Sequence, residues 1–183
     1  RVLPNMIVLA PCDSQEAEKA TLAIANDKRP AYMRLAREAT PIFTTKETPF
    51  EIGKAYVLQP GEDVTLIATG TMTYQALKAA EKLFKDGISA EVIHVPTIKP
   101  IDEATIIKSI RKTGAVVTAE EAQVIGGLGS AVAEIIAEQQ PAKLARIGIK
   151  DRFGESGEPN ELLEYFGLDA KHIRLAAHHV LDK

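Results

Sequence analysis

The chain has 183 residues, long enough for one sizeable domain or for one domain plus a piece of another. With 45% hydrophobic and 26% charged residues and no low-complexity tract, it has the composition of an ordinary globular protein rather than a disordered tail. A net charge of −3 and no run of Lys/Arg longer than two argue against a nucleic-acid surface, which needs a basic patch to meet phosphates. No apolar run approaches the length of a membrane span and no signal-peptide pattern is present, so membrane partners are not expected. The single Cys12 excludes an internal disulfide and fits a reducing compartment, with the cytoplasm as the expected location. Because an apolar strand follows Arg1 almost at once, the expectation is that a longer protein, or a second subunit, supplies what lies upstream.

In chain order, Met6 to Ala10 reads as a strand, and Pro11-Cys12-Asp13 turns into a helix that Asp13 caps while Glu16 reaches back. Ala17, Ala20 and Ile24 form the apolar stripe of that helix. After Arg29-Pro30 a strand is predicted over Ala31 to Ala36, followed by a polar, Pro-containing linker, Arg37 to Pro49. Strands around Lys54 to Leu58 and Val64 to Ala68 come next, the latter near-continuously apolar, as in a strand buried on both faces. A helix over Thr73 to Lys85 places Leu77, Ala80 and Phe84 on one face and ends at Gly87.

A strand at Ala90 to Val95 leads into a connection shaped by Pro96 and Pro100, and Asp102 then caps a helix that buries Ile106 and Ile110 and stops at Gly114. Ala115 to Val117 is a buried strand. Gly126, Gly127 and Gly129 supply the tight backbone that returns the chain as a helix from about Ser130 to Pro141, with Ala131, Ile135 and Ile136 inward. A last strand, Leu144 to Ile149, a glycine-rich loop, and two helices signalled by Asn160 and Asp169 complete the chain. Strands alternating with helices require parallel crossovers. The expected fold is therefore a three-layer α/β/α sandwich with a mostly parallel sheet of about five strands, preceded by a partial α/β domain.

Several tempting motifs have plainer readings. Gly127-Leu-Gly129 lacks the third glycine of a dinucleotide fingerprint, so close packing of helix on strand is favoured over an anion site. Gly154-Glu-Ser-Gly157 is not a nucleophile elbow, and Ser156 reads as part of a surface turn. Glu120 and Glu121 are neighbours at a strand end and must face opposite ways, so they are not an acid–base pair; one solvated and one interface carboxylate is the better reading. His178 and His179 sit about 100° apart on a helix and share no metal. Cys12 has no nearby sequence partner and reads as a buried thiol.

Taken together, the stretches Arg1 to Met6, Pro11-Cys-Asp13, Met33-Arg-Leu-Ala-Arg37, Ile52-Gly-Lys-Ala55, Gly61 to Gly70, Pro96 to Asp102, Glu120 to Ser130 and Asp151 to Gly157 resemble, in order and spacing, the C-terminal portion of transketolase. The resemblance implies that residues 1–48 are the tail of the pyrimidine-binding domain and 52–183 the C-terminal domain. It implies a part in moving a two-carbon ketol unit between sugar phosphates, as in the pentose phosphate pathway, with thiamine diphosphate and a divalent metal (Mg or Ca) in the complete enzyme. None of the catalytic, cofactor-binding or metal-binding residues is expected in this chain, which alone should be inactive. A homodimer and a missing N-terminal part or subunit are the implied partners. Corresponding segments of a deoxyxylulose-phosphate synthase or of a 2-oxoacid dehydrogenase β chain share the domain plan, and an independent effector-binding or docking module is a further alternative. Ala122 stands where many relatives carry His or Asn, so the branch stays open.

Arg37 is the one candidate site residue. Alternation within a strand over 31–36 would bring it out at the carboxyl end on the face of Met33 and Leu35. The resemblance implies contact with the substrate phosphate, which a planar guanidinium suits. The alternative is a salt bridge with Glu38 or another acid.

Overall fold

A computed structural model describes residues 1–182. The main sheet has five strands in the order β3-β5-β4-β7-β8, formed by β3 (Tyr56–Gln59), β4 (Val64–Ala68), β5 (Ala90–His94), β7 (Ala115–Gln123) and β8 (Lys143–Ile149). All neighbours are parallel except β3, which runs antiparallel on the edge. Every residue of β4 and β5 is buried, as central strands covered on both faces demand.

Alternation along the strands divides the core in two. Val64, Leu66 and Ala68 of β4, with Val92 and Val117, face α2 (Met72–Lys85) and α6 (Ala170–Val180). Ile67, Ile93 and Val116 face α3 (Glu103–Thr113) and α4 (Leu128–Glu138). The expected three layers are present. Asp102 caps α3 through the N–H of Thr105, and Asp169 caps α6 through that of His172.

A second, three-stranded sheet has the order β2-β1-β6, from β1 (Ile7–Leu9), β2 (Ala31–Met33) and β6 (Thr97–Lys99). Here the structure corrects the sequence reading. The stretch between Pro96 and Pro100 is a strand, and it pairs antiparallel with β1. Within this chain β1 lies between β2 and β6, with Ile7 and Leu9 fully buried. Helix α1 (Ser14–Ala25) packs Ala20 and Ile24 against it.

Smaller corrections have local causes. Strand β2 stops at Met33, because Arg34 makes the last ladder bond, N–H to the Leu9 carbonyl, and the chain then leaves the sheet. Phe84 is 76% exposed, and the buried face of α2 is Met72, Ala76, Ala79, Ala80 and Leu83. Helix α4 starts at Leu128 rather than near Ser130. Helix α5 (Pro159–Phe166) begins with Pro159 in its first turn, which leaves Asn160 inside the helix.

Candidate functional site

From β4 the chain crosses to β5 on one side, and from β5 it returns past β4 to β7 on the other. The carboxyl ends of β4 and β7 therefore flank a topological switch point, where open α/β sheets hold their ligands. Loop Thr69–Thr71 leaves β4 there, and Glu121 lies near the carboxyl end of β7. Gly70 lies against the three-stranded sheet, its N–H donating to the Ala10 carbonyl at 3.0 Å; its φ of +57° is the left-handed region that favours glycine. The segment after β2 lies across the opening, so that it and the main sheet with its loops and helices enclose one cleft of about 780 Å³ whose lining includes Arg37, Thr71, Tyr74, Lys78 and Glu121.

The polar wall of this cleft is tied together side chain by side chain. Thr71 donates its hydroxyl to Glu121 Oε2 at 2.5 Å. Arg34 donates Nη1 to the Glu121 backbone carbonyl at 2.5 Å and thereby links the end of β2 to β7. Lys78 lies 5.5 Å from the Tyr74 ring centroid, and Tyr74 in turn meets Phe43. Arg37 is not at a strand end: three residues separate it from Met33, where β2 stops. Its side chain is 96% exposed, with Nε 3.8 Å from Glu38 Oε1, an open contact that leaves the fork of donors free toward the cleft.

Glu120 and Glu121 diverge as neighbours in a strand must. Glu121 is the solvated one. Glu120 is 1% exposed and is not an interface group: its two oxygens accept the N–H groups of Leu128 (2.9 Å) and Gly129 (2.8 Å) at the start of α4. The glycine loop is an anion site after all, and its anion is the protein's own carboxylate. A side chain at Gly127 would put its Cβ 1.9 Å from Glu120 Oε2, which is why that position is glycine. Burial pushes the Glu120 carboxyl up, and the two N–H groups and the charges of Arg34 and Arg146 only partly offset this.

Asp13 caps α1 as expected and does more. It also accepts the N–H groups of Phe43 and Thr44 and the Thr44 hydroxyl, at 2.7–3.0 Å, fastening the segment that covers the cleft. Burial raises this carboxyl, but the four hydrogen bonds prevail and its pKa falls below the ordinary value. Glu16 reaches back past the Asp13 N-cap and accepts the N–H of Cys12 at 2.7 Å, one residue earlier than a capping box would place it. It also meets His94 Nε2 at 2.7 Å, a contact 78 residues away that no local pattern announces. Cys12 is a buried thiol, its pKa pushed far up by burial and by Glu16. His178 is bonded to Asp86 and Ser156 lies in the exposed loop 150–158. No helix among the described residues is long and apolar enough to cross a membrane.

The family model for the transketolase C-terminal domain matches residues 53–173. A 6-deoxy-6-sulfo-D-fructose transketolase subunit from Clostridium sp. is 48% identical over 183 residues, covering all of this chain and 57% of the relative. A putative transketolase C-terminal section from Methanocaldococcus jannaschii is 49% identical over 176 residues, covering 94% of this chain and 55% of the relative. A solved structure, described as a split gene transketolase in an inactive beta4 tetramer, superposes with a TM-score of 0.96 at 44% identity and covers all of this chain and 60% of that one. The chain thus spans little more than half the length of the relatives it matches. On these matches and the fold they share, the chain belongs to the transketolase family and carries its C-terminal domain.

Proposed function

We propose that this chain is the C-terminal part of a transketolase that transfers a two-carbon ketol unit between sugar phosphates, and that Arg37 meets the anionic end of the sugar. The observation that carries the role of Arg37 is its position: an exposed guanidinium, held only loosely by Glu38, over a cleft at the switch point of the sheet. A guanidinium offers two parallel donors to a tetrahedral anion, and a terminal sulfonate would be held as a phosphate is. Arg37→Ala in the complete enzyme is expected to lower kcat/KM for a phosphorylated ketose roughly ten- to hundredfold, the loss of a charge-assisted contact, with little change for the unphosphorylated analogue. Steady-state kinetics on the matched pair of sugars checks it. Equal losses on both would make the Arg37–Glu38 contact structural.

Thiamine diphosphate with Mg²⁺ or Ca²⁺ supplies the electron sink for such transfers in the complete enzyme. The side chains described here do not fit that group. Among the described residues the one cluster of metal-ligating groups, Cys12, Glu16 and His94, is sealed from solvent and has no room for a diphosphate. No step of the reaction is therefore assigned to it. The reading places the cofactor site on an N-terminal part or subunit, with homodimer pairing and a cytoplasmic location. Exposed Val2, Leu3, Leu22, Tyr32 and Leu35 around the three-stranded sheet support an assembly face. The purified chain, given a ketose phosphate, an aldose phosphate, thiamine diphosphate and Mg²⁺, is expected to form no product. Turnover would overturn this division of labour.

A further inference from the structure

The Cys12–Glu16–His94 cluster is unused by the cleft and joins three places that the sequence keeps apart: the turn after β1, the first turn of α1 and the end of β5. Their ligand atoms, a sulfur, a carboxylate oxygen and an imidazole nitrogen, all lie within 4.8 Å of one another. The residues are 1%, 3% and 2% exposed. The free nitrogen of the imidazole is also fixed: His94 Nδ1 is 2.8 Å from Thr73 Oγ1, which sets the ring so that Nε2 points at Glu16. Outer hydrogen bonds of this kind hold the histidines of metal centres in the ligating tautomer. We propose that Cys12, Glu16 and His94 form a zinc site that staples the first segment to the five-stranded sheet.

The donor set selects the metal. A thiolate and an imidazole are poor ligands for Mg²⁺ or Ca²⁺, which take oxygen, and suit Zn²⁺ in a tetrahedral site, of which these side chains fill three positions. The charge of the loaded site also balances: a thiolate, a carboxylate, a neutral imidazole and one divalent cation sum to zero, as a site that must remain buried requires. The Nε2 to Oε2 separation of 2.7 Å has to open by about 0.6 Å, to about 3.3 Å, when both atoms turn to a shared tetrahedral ion with bonds of about 2 Å. Unlike the family's cofactor metal, this ion would sit in a sealed site and stabilise the fold rather than take part in the transfer.

The test uses the chain expressed in zinc-supplemented medium and passed through gel filtration without chelator. Elemental analysis should find about one zinc per chain, the stoichiometry of a structural site. Reloading with Co²⁺ should give the near-ultraviolet thiolate-to-cobalt charge-transfer band and the visible bands of a tetrahedral ion. In Cys12→Ser the charge-transfer band should vanish, and in His94→Asn, which can keep a hydrogen bond to Glu16, zinc should fall to background while circular dichroism stays native. Folded wild-type chain without zinc and without a cobalt band overturns the proposal, as does stoichiometric zinc in Cys12→Ser. Because no sugar or thiamine diphosphate enters the assay, the result is independent of the role given to Arg37.

Discussion

Glu120→Ala is expected to destabilise the chain by about 2–4 kcal/mol, because it strips the start of α4 of two charge-assisted hydrogen bonds and leaves two buried N–H groups unpaired. For a chain of this length that corresponds to a fall in Tm of about 5–15 °C, read by circular dichroism. Glu120→Gln keeps the shape but points an amide N–H at one of those donors, so an intermediate loss is expected. The same carboxyl has a signature in pH. Its folded pKa is raised, so between the ordinary carboxyl range and that raised value the folded state holds more proton than the unfolded one, and the Glu120 contribution to stability falls as pH rises through that window. Asp13 has the opposite sign, its contribution being lost as pH falls through its lowered pKa. The stability difference between wild type and Glu120→Gln, followed from acid to neutral pH, isolates the Glu120 term. A difference independent of pH would mean that the carboxyl is not held against its own burial. A Tm unchanged in Glu120→Ala would mean that α4 does not depend on this anion.

Gly61→Ala should cost more still per atom added. A Cβ at Gly61 would lie 2.1 Å from the carbonyl carbon of Ala90 and 2.2 Å from the nitrogen of Glu91, both backbone atoms of β5, which is hydrogen-bonded on both sides and has nowhere to move. Overpacking of this kind costs about 1–3 kcal/mol where side chains can shift, so the upper end or beyond is expected where they cannot. Gly87→Ala is the contrast. Nothing lies within 4 Å of a Cβ there, but φ is +78°, so only the cost of a left-handed non-glycine residue applies, about 1 kcal/mol. Thermal melts of the two variants side by side decide. If Gly61→Ala melts within a degree or two of wild type, β5 is far softer than its two-sided pairing implies.

The three layers were legible from the sequence because each depends on a local period. Near-continuous apolar runs mark strands covered on both faces, as in β4 and β5. The buried pairs Ile106 with Ile110 and Ala131 with Ile135 mark one stripe of a helix each, and Asp102, Asp169 and Gly114 mark ends whose hydrogen bonds close within a few residues. What the sequence could not supply were the pairings between distant segments. Strand β6 has three residues between two prolines, too short for any period, and becomes a strand only because β1 offers it an edge. Arg37 was placed at a strand end by extending an alternation that the fold breaks at Met33. Glu120 reads as one of a solvated and an interface carboxylate, and only the turn at Gly126–Gly129, which folds α4 onto it, makes it a buried acceptor for helix N–H groups. His94 carries no local mark at all; it meets Glu16 because the end of β5 and the first turn of α1 reach the same buried place, and long-range convergence of that kind has no sequence period to announce it.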